Sequence, residues 1–164
     1  MPLQLDDVAR RAGLGVGTVY RRFPTAEALV ETLATPCLEA LAAHGERALV
    51  DDDPWRAFAG FLSRTVEAQA AEVSLAPVVA ASTDALPRTT ELKQTLWSVG
   101  ASLFDRARVA GVVHGDLTSD DMVPLMCRIA FAANVHDGDY AARAEVAQRY
   151  LTALLEGLHV QARR

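Results

Sequence analysis

Apolar positions recur at helical spacing along nearly the whole chain after residue 4, and the β-branched residues do not alternate at period two. Leu5, Val8, Ala9 and Ala12 fall at i, i+3, i+4 and i+7, and Gly13 then ends a first short helix over about 5–12. A second short helix covers about 16–22. Thr25 is a good N-cap for a long helix through Leu29, Leu33 and Leu41, which Pro36 should bend or rob of a hydrogen bond. Asp53-Pro54 pairs a capping carboxylate with proline at the first helical position, ahead of the stripe Trp55, Phe58, Phe61, Leu62, Thr65 and Val66. Residues 74–83 read as a shorter helix broken near Pro77. The next helix, about 88–109, follows Pro87 and carries Leu92, Leu96, Val99, Leu103 and Phe104, with Gly111 and Gly115 marking the turn beyond it. Thr118-Ser119-Asp120-Asp121 opens a helix through Met122, Leu125, Met126, Ile129 and Ala133. A polar turn at 136–139 leads into the last helix, about 140–159.

The pattern predicts an all-α fold with no internal repeat, low-complexity tract or βαβ unit. Of its 164 residues 51% are hydrophobic, enough for a core that needs no disulfide or metal. No apolar run approaches the roughly 18 residues that span a bilayer, and Met1 to Asp7 lack the basic-then-apolar order of a signal peptide. A cytoplasmic location without membrane contact is the expectation. Cys37 and Cys127 form no CxxC pair and read as small apolar residues.

Charge changes the picture. The chain carries −5 overall, yet residues 1–24 set Arg10, Arg11, Arg21 and Arg22 against only Asp6 and Asp7. A basic head on an acidic body is the distribution expected when only the head meets phosphates. Within that head, Val8, Ala9 and Ala12 can pack against Leu14, Val19 and Phe23, the small alanines letting two short helices approach, and Gly13 permits a positive φ between them. The arrangement is a helix-turn-helix, whose second helix enters the major groove. With Val19 and Phe23 inward, Val16, Gly17, Thr18, Tyr20, Arg21 and Arg22 stay outside. Arginine bridges guanine or phosphate, and threonine and tyrosine hydroxyls reach phosphate oxygens.

Val8-Ala9-Arg10-Arg11-Ala12-Gly13-Leu14-Gly15-Val16-Gly17-Thr18-Val19-Tyr20-Arg21-Arg22-Phe23-Pro24, followed by Ala26-Glu27-Ala28-Leu29-Val30, resembles the DNA-binding signature of the TetR family of repressors. The resemblance implies a homodimer. Its helix-turn-helix heads, residues 1–46, would read a palindromic double-stranded operator, and its helical-bundle body, 47–164, would dimerise and bind a small ligand that releases the DNA. It matches Thr18, Tyr20, Arg21 and Arg22 to DNA-contacting positions, with Val16 and Gly17 at the tip. It also places the dimer interface on the last two helices, where Val146, Tyr150, Ala153, Leu154 and Gly157 are candidates. Family members usually carry a further helix ahead of the motif, which this chain starts too late to hold. Gln4 stands where a Ser or Thr cap is usual, and Ala26 where lysine often reaches a phosphate. A dimeric ligand-binding or interaction module whose truncated head no longer binds DNA is the alternative.

Phe58, Phe61, Leu62, Trp97, Phe104, Met122 and Met126 are candidates to line a pocket for a hydrophobic or aromatic ligand, though such stripes also fill cores. Arg128, Asn134 and His136 can supply its few polar contacts, with surface or dimer-interface positions as the competing fate. His114, Asp116, His136, Asp137 and Asp139 sit in turns without a metal-ligand spacing, so no metal or other cofactor is expected. Gly13-Leu14-Gly15-Val16-Gly17 follows no strand and lacks the GxGxxG spacing of a nucleotide loop. No nucleophile elbow, zincin motif or P-loop is present, and nothing argues for catalysis.

Overall fold

Several helices start where a side chain covers one of their free amides. The computed structural model describes residues 3–114, 117–135 and 139–160. Its helices are α1 (Leu5–Ala12), α2 (Val16–Arg22), α3 (Ala26–Ala48), α4 (Pro54–Ala71), α5 (Leu75–Ala80), α6 (Pro87–Val109), α7 (Met122–Asn134) and α8 (Tyr140–Leu158). A 3-10 turn, Ser119–Asp121, leads into α7. The Thr25 hydroxyl accepts the Ala28 amide at 3.1 Å, and the Asp53 and Asp139 carboxylates accept those of Arg56 and Ala142 at 3.0 Å. Thr118 and Asp121 form a reciprocal capping box. Gln4, by contrast, makes no side-chain cap.

The prolines behave differently from one another. The expected break near Pro77 is absent: α5 begins only at Leu75, which puts Pro77 in the first turn, where no intrahelical donor is missed. Pro36 lies inside α3, which runs on past it at the cost of the bond its missing amide would have made.

Three apolar clusters organise the molecule. Leu5, Ala9 and Val19 hold α1 to α2, with Phe23, Ala26 and Leu29 against them. Leu38 and Leu41 of α3 meet Ala68, Leu75, Val78 and Leu92 in a second cluster, so α3 starts in the head and ends in the body. The third and largest gathers α4, α6, α7 and α8 around Phe58, Phe104, Leu103 and Leu151. An isolated antiparallel bridge, Val113 to His159, clasps the ends of α6 and α8, and the His159 ring stacks on Trp55 at 4.1 Å. The Arg106 guanidinium donates to the Leu49 and Asp51 carbonyls, both at 2.6 Å, just past the end of α3. Among the described residues no helix is long and apolar enough to cross a membrane.

Gly45 marks the closest approach in this packing. A Cβ there would lie 2.6 Å from Val99 Cγ1 and 2.9 Å from Phe61 Cε2, both buried. Gly45→Ala gains up to about 1 kcal/mol of helix propensity but forces two core side chains off their positions, costing about 1–3 kcal/mol. A net loss is expected in urea unfolding. Gly60→Ala, whose added methyl meets nothing within 4 Å, is the matched control and should stabilise.

Candidate DNA-reading head and ligand groove

The head is built on a tight reversal. At the end of α1 the Gly13 amide donates to Arg10 O at 3.3 Å and the Leu14 amide to Ala9 O at 2.9 Å, with Gly13 at φ 67°. This pairing needs the left-handed backbone that glycine adopts without strain. It sets α2 across α1 with Val19 as its one buried residue. Val16, Gly17, Thr18, Tyr20, Arg21 and Arg22 are all exposed on α2. A Cβ added at Gly17 would meet nothing within 4 Å, so the protein itself leaves that surface clear.

The electrostatics of this face are simple. Arg10 pairs with Asp7 at 3.0 Å, and Arg22 lies 5.8 Å from the centre of the Phe23 ring. The hydroxyl of Tyr20 shares a hydrogen bond with Asp6 of α1, and that bond, with the carboxylate's charge, raises the phenol above its ordinary value. Tyr20 therefore stays protonated, a hydrogen-bond donor, through the neutral range.

In the body, a cavity of about 60 Å³ opens between α4, α5, α6 and the start of α7. Five of the seven candidate pocket residues border it: Phe61, Leu62, Trp97, Met122 and Met126. Phe58 and Phe104 do not; both are fully buried and stack edge-on in the core at 5.7 Å. Val79, Leu96, Gly100, Ala101, Ser119 and Val123, none of them a pocket candidate in the sequence, complete the wall. The run Gly100-Ala101 on α6 was the available signal, because small side chains leave the space the cavity fills.

Through Val79, Trp97 and Val123 the cavity continues into a groove of about 470 Å³ that reaches Pro124, Cys127 and Arg128. Beneath Trp97 lies the buried Lys93, its ammonium 5.5 Å from the ring centre and 2.7 Å from Asp84. Of the other polar candidates, His136 lies outside the described residues, as do Asp116 and Asp137 of the turns.

On α8, Val146 and Leu154 pack partly against the main core, Tyr150 is half-buried, and Ala153 and Gly157 lie on the exposed face. Phe131 near the end of α7 and Val135 just past it stand a turn apart and are 64% and 66% exposed. Among the described residues no group of three or more His, Cys, Asp or Glu could hold a metal ion.

Together these features define a class: an all-α regulator with a helix-turn-helix head and a helical body. Residues 2–33 match the family model for bacterial regulatory proteins of the tetR family, and residues 53–160 match that of the SbtR-like transcriptional regulator C-terminal domain. The chain belongs to the TetR family of transcriptional regulators. It is 30% identical to the TetR transcriptional regulator SCO0520 of Streptomyces coelicolor, covering 97% of this chain and 89% of that one, with a TM-score of 0.60. Two more distant structures share the fold. KstR2, the ketosteroid transcriptional regulator of Mycobacterium tuberculosis, is 20% identical over 97% of this chain and 86% of that one, TM-score 0.66. FadR of Bacillus subtilis, solved in complex with stearoyl-CoA, is 16% identical over 96% and 89%, TM-score 0.64. No curated protein matches the sequence.

Proposed function

We propose that this regulator represses transcription as a homodimer, its two α2 helices lying in successive major grooves of a palindromic operator, and that a small apolar ligand in the body releases it. The observation that carries the reading is the division of α2, with Val19 turned into the head and all six candidate contacts left in solvent. On this reading Arg21 and Arg22 meet phosphate or guanine, Tyr20 and Thr18 hydrogen-bond the backbone, and bare Gly17 lets the helix tip approach closely. Half-site centres then lie about 34–36 Å apart, one turn of duplex. A second copy of the chain is the partner assigned to the outer faces of α7 and α8, where Phe131 and Val135 would leave water and Ala153 and Gly157 would allow close helix approach.

The ligand reading follows from the shape of the body. A cavity of about 60 Å³ is far below the ~300–1,000 Å³ of typical ligand pockets, so a ligand must widen it. Met122 and Met126 have the rotamer freedom to do so. Binding that favours the widened state lowers operator affinity by the same coupling free energy through which DNA lowers ligand affinity. Domains divide near residue 46 on this reading, with α3 as the shared element that carries the change.

The test is fluorescence anisotropy of the full chain on a duplex that the protein itself selects from a random library. Arg21→Ala is expected to weaken binding by about tenfold or more, and Tyr20→Phe by less, with the thermal unfolding of Arg21→Ala unchanged. Wild-type affinity should fall steeply with salt. Unchanged affinity in both variants overturns the assigned face.

A further inference from the structure

The charge around the groove indicates what kind of ligand it takes. Arg128 is the one charged residue in the groove's lining. It is exposed and has no ion pair among the described residues, whereas Arg56, Arg64, Arg88 and Arg108 of the same body each hold a carboxylate. Lys93 adds a second cation behind Trp97. Both act on Cys127 in the groove: burial raises its thiol above the ordinary value, and Lys93 and Arg128 pull it the other way. No carboxylate lines the cavity or the groove, and the exposed Asp120 beside Ser119 is the nearby one without an ion pair among the described residues. Asp84 holds Lys93, and Asp121, at the far end of the cavity beside Ser119, holds the amide and hydroxyl of Thr118 at 2.8 and 2.9 Å. The groove thus pairs an apolar floor with a free cation at one rim.

We propose that the ligand is an apolar organic anion, its body under Trp97 and directed into the methionine-walled cavity, its carboxylate or sulfonate on the Arg128 guanidinium. This rests on the ligand-binding reading of the body and narrows it to one charge class. A neutral ligand of the same shape leaves Arg128 unused. A cationic ligand meets a like charge at the rim and has no uncommitted carboxylate in the lining to answer it.

Two dyes with one aromatic frame make the test. 8-Anilinonaphthalene-1-sulfonate carries the anion and N-phenyl-1-naphthylamine lacks it; each is titrated into the full chain by fluorescence. The sulfonate is expected to saturate one site per chain and to bind about tenfold tighter than the neutral dye, the size of a charge-assisted contact at a partly solvated rim. Arg128→Gln should bring the two dyes within about threefold of each other. Ala101→Leu, which fills the cavity from α6, should weaken both, because the body of each dye loses its seat. Equal affinity of the two dyes for the wild type, or undiminished preference for the sulfonate in Arg128→Gln, overturns the proposal. So does dye binding unmoved by Ala101→Leu, which would put the dye on an exposed patch such as Phe131–Val135. Operator anisotropy on the wild type separates the two failures. Intact salt-dependent DNA binding with no dye preference rejects only the ligand class, and absent DNA binding rejects the regulator reading.

Discussion

Asp84→Ala is expected to lower the unfolding free energy by about 3–5 kcal/mol, the cost of stranding a buried charge. The stranded group is the ammonium of Lys93, 2% exposed, which Asp84 holds at 2.7 Å. Its remaining hydrogen bonds go to the carbonyls of Val78 at 3.1 Å and Ala81 at 2.8 Å, dipoles that, even with the Trp97 ring 5.5 Å away, cannot replace a full negative charge. The reverse loss, Lys93→Met, leaves Asp84 with the Thr90 hydroxyl at 3.0 Å and a 9% exposed side chain. That carboxylate has a partner and some water, so the expected loss is smaller. Removing both charges in Asp84→Ala/Lys93→Met should recover much of what Asp84→Ala costs, because desolvating the pair offsets most of its attraction. For a domain of this size each kcal/mol moves Tm by about 2–4 °C, so thermal unfolding and urea titration of the three variants resolve the pattern. Asp84→Ala within about 1 kcal/mol of wild type would falsify the stranded-charge account, as would a double variant less stable than Asp84→Ala.

Neither member of that pair stood out in the sequence, and the reason is physical. Helix starts were legible because Thr25 and Asp53 accept amides three residues ahead and Asp121 accepts the amide of Thr118 three residues behind, and the all-α fold followed from apolar spacing. The head was legible for the same reason: Gly13, Val19 and the exposed residues of α2 work within two turns of each other. The body cavity was only half legible. Helical spacing shows that Phe58, Phe61 and Phe104 point inward, but not which helix each meets, and only Phe61 borders the cavity. Pro77 was misread as a break because its effect depends on where the first turn falls, and no cap bond marks that start. Lys93, the one lysine of the sequence, has no neighbour along its own helix that marks it as buried. Its partners are carbonyls and a carboxylate 9–15 residues earlier, brought round by the turn before α6.

Glu31→Ala should produce the second large loss, about 1–3 kcal/mol, from two part-buried amides that lose a charged acceptor. Glu31 is 4% exposed on α3, and its two carboxylate oxygens accept the amides of Ala85 at 2.6 Å and Leu86 at 2.8 Å. Leu86 is the N-cap position of α6 and offers no side-chain cap of its own. A side chain 55 residues earlier in the chain thus supplies the negative charge that a helix start favours. Glu31→Gln keeps one acceptor oxygen but turns an NH2 group toward the other amide, so it should lose less than alanine while losing the charge. The position matters because α3 opens in the head cluster and Leu38, two turns past Glu31, sits in the body cluster. Asp84, beside the two amides, holds the Lys93 that underlies Trp97 of the groove. The carboxylate therefore ties α3, which begins in the head, to the segment that holds Lys93 beneath Trp97. On the proposed mechanism, Glu31→Gln, at a temperature where it is fully folded, should bind the selected operator duplex with altered affinity and respond less to the anionic dye. A Glu31→Gln protein with wild-type operator affinity and wild-type dye response would confine the tie to stability and move the coupling path elsewhere along α3.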